Sequence, residues 1–341
     1  MKYLFPLVAV IVLARIAWVG STIPGMQYVF GVDVPYAALI LFIGGFCWRV
    51  IYWAKSPVPF KIPTTCGQGQ SMPWVKRNKL EAPMNTTEVV GRMFMEIVFF
   101  RSLWRNTKAD IQPGPVLTYK STRWLWLFGI LFHYSMLLIL LRHLRLFLEP
   151  VPFLISALDA LDGLALHPTP ELSFYLTDAL ILLGLLALLL RRFILRPVRY
   201  ISLANDYFPL FLLIGITVSG IAMRYYLRSG VDIVAIKHLA VGLVTFHPEI
   251  TTDIAPIFYS HLFLVSCLLA YFPFSKLMHM GGVFLSPTRN MANDSRMKRH
   301  INPWNPEIKP HSYAGYEDEF REDMVEQGIP VDKELPEKAD D

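Results

Sequence analysis

Long apolar blocks alternate with polar stretches along the 341 residues of this chain. A helix needs about 20 consecutive apolar residues to cross a bilayer. Six blocks reach or approach that length, at 3–20, 35–54, 124–148, 172–192, 206–228 and 256–278. The pattern predicts an all-α, polytopic transmembrane helix bundle of about six spans. Two N-terminal spans occupy 1–54, a polar loop 55–123, a four-helix membrane domain 124–280 and a polar tail 281–341. The first block starts with Lys2 and resembles a signal peptide. Arg15 interrupts it and no small-x-small cleavage site follows, so it is read as a retained span.

The polar stretches set the expected topology. Residues 55–123 carry eleven Lys and Arg against four acids, and the turn after the fourth block holds Arg191, Arg192, Arg196 and Arg199. The start of the tail adds Arg289, Arg296, Lys298 and Arg299, whereas the alternate loops 21–34, 149–171 and 229–255 share one basic residue, Lys237. The positive-inside rule then puts both termini and the 55–123 loop in the cytoplasm of a cell-membrane protein. Within that loop, a proline-rich opening (Pro57, Pro59, Pro63) leads to Asn85-Thr86-Thr87-Glu88, which reads as a capping box. The helix that follows places Val89, Val90, Met93, Phe94, Ile97 and Trp104 on one broad side, flanked by Arg92, Glu96 and Arg105. Two readings stand, a helix lying on the lipid surface or a docking surface for a cytoplasmic partner. The last 25 residues hold eleven acids against three bases, too polar for a core of their own. They are expected to be disordered or to fold along a partner.

Composition agrees with a membrane bundle: 54% of residues are hydrophobic and 17% charged, where a soluble domain carries about a quarter charged. The net charge of +5 sits beside the apolar blocks, which is topology and not a nucleic-acid footprint. Cys47, Cys66 and Cys267 are far apart and form no CxxC pair, so neither an iron–sulfur nor a zinc spacing is present. Cys47 and Cys267 fall inside spans and read as small packing residues.

Candidate chemistry lies in the histidines. His167, His238, His247, His300 and His311 fall in loops or tail, but His133, His143, His261 and His279 fall in spans or at their ends. Ionisable groups there are costly and face the bundle interior. The third and last spans are antiparallel, so each offers one imidazole near each membrane surface: His143 with His261 outside, His133 with His279 inside. Two bis-histidine pairs are the arrangement that holds two haems b between facing helices. Helix geometry strains this reading. The ten residues from His133 to His143 rise about 15 Å, whereas the eighteen from His261 to His279 would rise about 27 Å in a continuous helix. Pro273 offers a kink that could shorten the second distance.

Spacings of ten and eighteen between such histidines resemble the gamma subunit of respiratory nitrate reductase over roughly residues 120–280. That resemblance implies that the four histidines ligate two haems b and that quinol is oxidised near the outer one. Six blocks and a long first loop depart from that family's five spans. The tail segment SPTRNMANDSRMKRHINPWN (286–305), the following YEDEFREDM (316–324) and the loop segment IPTTCGQGQSMPWVK (62–76) resemble the DsrM family of membrane subunits of DsrMKJOP complexes. The resemblance implies a DsrK-like cytoplasmic iron–sulfur partner, the other DsrMKJOP subunits, menaquinone as lipid-soluble carrier and a role in dissimilatory sulfur metabolism, with sulfite reduction as one form of it. DsrC is then the eventual thiol/disulfide substrate of the complex.

A quinone site needs a proton-exchanging group beside the outer haem. Asp178 lies in an otherwise apolar run, and Glu171, Arg142 and Arg145 stand at similar depth. Asp178 and Glu171 are the candidate proton acceptors, with an interhelical hydrogen bond as the plainer role for Asp178. Arg142, Arg145 and Arg224 are candidates to pair with haem propionates or to reach lipid headgroups. Two other classes compete with this reading: a transporter with a histidine proton path, and a cofactor-free membrane anchor. Neither predicts a haem band. The sequence shows no internal repeat or matched broken helices of the transporter kind.

Overall fold

The structure is a computed structural model that describes residues 2–56, 74, 76–114, 116–162, 175–227, 231–250, 254–294 and 309–333. Glu171, Cys66 and nearly all of the 62–76 segment lie outside these residues, as do 295–305 of the tail motif.

Six long helices form the bundle: α1 (Leu4–Gly20), α2 (Met26–Ala54), α5 (Arg123–His143), α7 (Leu176–Ile194), α9 (Ala204–Ile221) and α11 (Pro256–Tyr271). Among the described residues, four stretches are long and apolar enough to cross a membrane: Met26–Ala54, Arg123–Leu146, Ala204–Tyr226 and Pro256–Phe274. Helix α1 is apolar but shorter, at 17 residues, and α7 carries Asp178 at its start and Arg191 and Arg192 at its end. The expected polytopic helical bundle is therefore what the chain forms. Its outer surface is apolar: Ile40, Leu137, Leu140, Leu183 and Leu190 are all exposed, as lipid contact requires.

Packing runs from α5 to α7, from α7 to α9, and from α9 to α1 and α11, with α2 against α11. The α5–α7 contact is close because Gly184 faces the backbone of Phe132, where a Cβ would meet backbone nitrogen at 3.1 Å. Small residues at helix crossings allow such approach in a membrane bundle. The neighbour of Phe132 is His133, so this crossing fixes the height and rotation of a candidate ligand. Three apolar clusters fill the interior, one of them built on Ile181, Leu185 and Leu213 of α7 and α9.

The connections are more structured than their composition predicts. The 55–123 loop contains α3 (Thr86–Phe99), α4 (Arg101–Arg105) and an antiparallel hairpin of β1 (Thr107–Gln112) and β2 (Val116–Ser121). Helices α6 (Phe153–Asp162), α8 (Arg196–Ile201) and α10 (Ile233–Thr245) fill other connections. His238, read as a loop residue, lies in α10. After the bundle come the single turns α12 (His279–Gly282) and α13 (Pro287–Asn290). The acidic tail forms helix α14 (Tyr313–Glu326), which the sequence reading placed in a disordered or partner-bound segment. Ser312 caps it by accepting from the Gly315 N–H at 3.1 Å.

Three sequence expectations change in form. Asn85 does cap α3, accepting from the Glu88 N–H at 2.9 Å, but Glu88 reaches back to the Met84 N–H at 2.7 Å and not to Asn85 itself. The polar residues of α3 face inward: Arg92 and Glu96 are buried, while Val90, Phe94 and Ile97 are exposed. Cys47 is exposed on α2 and packs into no core, unlike Cys267, which joins the Val10–Leu212–Leu264 cluster.

Candidate functional site

Helices α5 and α11 run antiparallel with little direct contact, and they bring His133 and His279 together. The rings of His133 and His279 stand edge to face, with centroids 6.0 Å apart and planes at 84°. A metal bound by two imidazole nitrogens at about 2 Å each separates the ring centres by about 6 Å. The pair thus has the spacing of two axial ligands of one metal. His143 and His261, the other expected pair, are near enough to influence each other electrostatically.

The mismatch of ten and eighteen residues is resolved by a break in the last span, which the sequence reading ran to residue 278. Helix α11 ends at Tyr271, Phe272–Phe274 tightens to a 3-10 turn containing Pro273, and Ser275 is fully extended (φ −115°, ψ 176°). Proline cannot donate the next helical hydrogen bond. A second 3-10 turn, Lys276–Met278, then delivers His279 to the level of His133. The continuous-helix rise never applies.

All four imidazoles carry a partner on Nδ1. His133 donates to the Gly129 carbonyl at 2.7 Å, His143 to the Ile139 carbonyl at 2.7 Å, and His279 to the Lys276 carbonyl at 2.9 Å. His261 Nδ1 lies 2.9 Å from Ser219 Oγ, which donates its own proton to the Ile216 carbonyl and so accepts from the imidazole. These bonds place the proton on Nδ1 and leave the lone pair on Nε2, the pattern of outer-sphere support around metal-ligating histidines. Gly220 gives His261 room, since a Cβ there would stand 3.3 Å from its ring. Around His133, Phe100 and Phe132 close in at centroid distances of 5.1 and 4.8 Å. Ser219, Gly220 and Phe100 escaped the sequence reading. Only their place next to an intramembrane histidine in space, not in sequence, singles them out.

The arginines near the second pair have unequal freedom. Arg142 is buried, bonds Asp159 at 2.7 Å and Thr177 at 2.9 Å, and pairs with the buried Asp162. Arg145 pairs with Asp159 at 2.7 Å. Asp159 and Asp162 lie on α6, whose existence the sequence reading missed. Arg224 makes no ion pair among the described residues. It stacks on Tyr175 with its guanidinium carbon 3.6 Å from the ring centre, while Arg142 covers the same ring at 3.8 Å. Asp178, in the first turn of α7, accepts from the Tyr225 hydroxyl at 2.8 Å, and Tyr225 in turn accepts from the Tyr175 N–H at 3.0 Å. This Asp178–Tyr225–Tyr175–Arg224 chain puts an acid, a phenol and a cation in line beside the His143–His261 pair.

Comparison with known proteins agrees with this architecture. The model of the nitrate reductase gamma subunit family matches residues 114–295, which include all four histidines. The chain belongs to that family. A "Hdr-like menaquinol oxidoreductase cytochrome b-like subunit" of Archaeoglobus fulgidus is 48% identical over 289 residues, covering 83% of this chain and 85% of the relative. The protein of the same description from Archaeoglobus profundus is 42% identical over 280 residues, covering 80% and 82%. The first two helices, α3 and the tail helix α14 lie outside the family match.

Proposed function

We propose that this multi-pass membrane protein is a di-haem b subunit that exchanges electrons between menaquinol and a cytoplasmic iron–sulfur protein. The observation that carries the reading is the placement of the four histidines, each imidazole with Nδ1 occupied and no Nε2 bond among the described residues. When bound, haems b would supply one-electron carriers at two depths. His133 and His279 would hold the inner one, His143 and His261 the outer one. The relatives' printed description supports menaquinol as the carrier. The motif resemblance supports a DsrK-like partner within a DsrMKJOP-type complex of sulfur metabolism. The basic loops support a cell-membrane orientation with both termini cytoplasmic.

Oxidation of a quinol releases two electrons and two protons, so the outer site needs proton acceptors with a route to the surface. Asp178 is suited to this, because a carboxylate accepting from Tyr225 can exchange that bond for one from a quinol hydroxyl. Glu171 would take the second proton. Arg224 is free to face an outer haem propionate, while Arg142 and Arg145 hold α6 over the site through Asp159 and Asp162.

Pyridine haemochrome analysis of the purified protein tests the core of this reading, with two haems per chain expected. His133→Ala and His279→Ala should remove one spectral component, and His143→Ala and His261→Ala the other. One haem, none, or loss of the same component by members of different pairs would overturn it. For the quinol site, Asp178→Asn and Glu171→Gln should slow menaquinol-dependent haem reduction at full haem content. Wild-type rates in both variants would remove the carboxylates from the mechanism.

A further inference from the structure

The sequence reading finds cations only for the outer haem, at Arg142, Arg145 and Arg224. A b haem carries two propionates, and the inner one needs counter-charges as well, because an unpaired charge in a low-dielectric interior is costly. Beside His279 is a cavity of about 490 Å³ walled by Arg49 and Trp53 of α2, Asn205 of α9, Tyr271 of α11, and Lys276 next to His279 itself.

Two cations line this cavity, and their states differ. Lys276 is committed to Asp206 at 2.6 Å. Arg49 makes no ion pair among the described residues, and its Nε is buried with no hydrogen-bond partner. Its guanidinium lies over Trp53 at 5.3 Å, a stacking that aligns the group and leaves Nε, which lies in the guanidinium plane, for another acceptor. A buried donor without an acceptor is destabilising. The fold tolerates this at the wall of a space next to a candidate axial ligand. A planar fork of N–H donors matches a carboxylate in two-point contact.

We infer that Arg49 anchors a propionate of the inner haem, with Asn205 as a further polar neighbour in the same cavity. This rests on the two-haem reading and adds a residue from α2, outside the family match at 114–295. Arg49 would be a positioning residue. Its positive charge favours the reduced haem, which carries one positive charge fewer at iron, so it should raise the potential of that haem alone.

The test uses the full chain in detergent, with Arg49→Gln and Arg49→Lys, each assayed for haem content and by redox titration. The inner component is the one that persists in His143→Ala. In Arg49→Gln two haems should remain, the inner midpoint should move down and the outer one should stay. Arg49→Lys should lie nearer the wild type. If Arg49→Gln instead loses one haem, its retention in Arg49→Lys would support the charge, whereas equal loss in both variants would overturn it. Unchanged midpoints, or equal shifts of both components, would also overturn it. So would unchanged potentials with loss of a quinone-analogue effect on the inner haem spectrum, which would make the cavity a quinone site. Fewer than two haems in the wild type would defeat the functional reading itself, before either variant is informative.

Discussion

Phe100 meets His133 edge-on, with ring planes at 88°, from a backbone held in the left-handed region at φ 49°. That conformation costs a residue with a Cβ about 1–2 kcal/mol, yet it is fixed on both sides. The preceding carbonyls of Val98 and Phe99 accept from Tyr134 Oη at 2.6 Å and Trp126 Nε1 at 2.8 Å, both on α5. Phe100 also ends α3, sending its N–H back to the Met95 carbonyl. Its ring and its backbone therefore make opposed contributions. Phe100→Gly and Phe100→Ala both uncover His133, but only alanine keeps the strain. Alanine should be the less stable variant by about 1 kcal/mol in thermal unfolding in detergent. Equal stability of the two would show that the backbone is not strained.

Glu96 ties together segments 193 residues apart. Its carboxylate is buried, accepts from the Ser102 N–H at 3.1 Å and from the Ser102 hydroxyl, and pairs with Arg289 of α13 at 3.0 Å. Arg92, buried on the same helix one turn earlier, keeps two nitrogens without partners. Removing the one carboxylate leaves buried positive charge uncompensated, which costs about 3–5 kcal/mol. Glu96→Gln should therefore lower the melting temperature strongly and expose the chain after residue 285 to protease. A variant that melts like the wild type would mean that water already shares this site.

The helical bundle was legible in the sequence because apolar length specifies it, and the approach of His133 to His279 because antiparallel spans leave little choice of partner. The break after Tyr271 was half legible: Pro273 marks a kink, but the two 3-10 turns around an extended Ser275 depend on where His279 must sit. The inward polar face of α3 was not legible. Its apolar side was read as facing lipid or a partner, and Val90, Phe94 and Ile97 are indeed exposed, but Arg92 and Glu96 were read only as flanking that side. Glu96 is instead buried against Arg289 and Ser102. Helices α6 and α10 were missed as elements because loops between spans were judged by charge. The serine and aromatic residues around the histidines were missed because they come from other helices.

The Arg142 network gives a graded prediction. Asp162 is buried, pairs with Arg142 and also accepts from the Thr177 N–H at 2.9 Å and its hydroxyl. Asp159 is about one-fifth exposed and shares its charge between Arg142 and Arg145, the latter one-third exposed. Solvent compensates the second site more readily. Asp162→Asn should cost about 3 kcal/mol and Asp159→Asn about 1 kcal/mol or less, measured as shifts in thermal unfolding. The opposite order would mean that Asp159, not Asp162, seats α6 against α5.

The tail helix should respond to acid. Glu317 is about 1% exposed and accepts from the backbone N–H groups of Asp332 at 3.0 Å and Lys333 at 2.8 Å, so that 329–333 folds back on α14. These bonds, that from Asp332 foremost, hold its carboxyl below the usual range against the opposing effect of burial. Asp318 is lowered too, chiefly by the Lys333 ammonium at 2.8 Å. In the unfolded chain such groups titrate at about 4.3 and 3.9. A carboxyl with a lower folded than unfolded pKa binds fewer protons when folded. Its contribution is then complete above the unfolded pKa and lost as pH falls through the folded one. The 309–333 segment should keep its protection from about pH 5 upward and lose it progressively below about pH 4. Glu317→Gln should flatten that dependence, since an amide offers one acceptor oxygen where the carboxylate offers two. Hydrogen exchange of peptides from 313–333 in the full chain, corrected for intrinsic rate at each pH, reads this directly. Protection that stays constant from pH 6 to pH 3.5 in the wild type would show that α14 is held by its cap and apolar contacts, with no part played by Glu317.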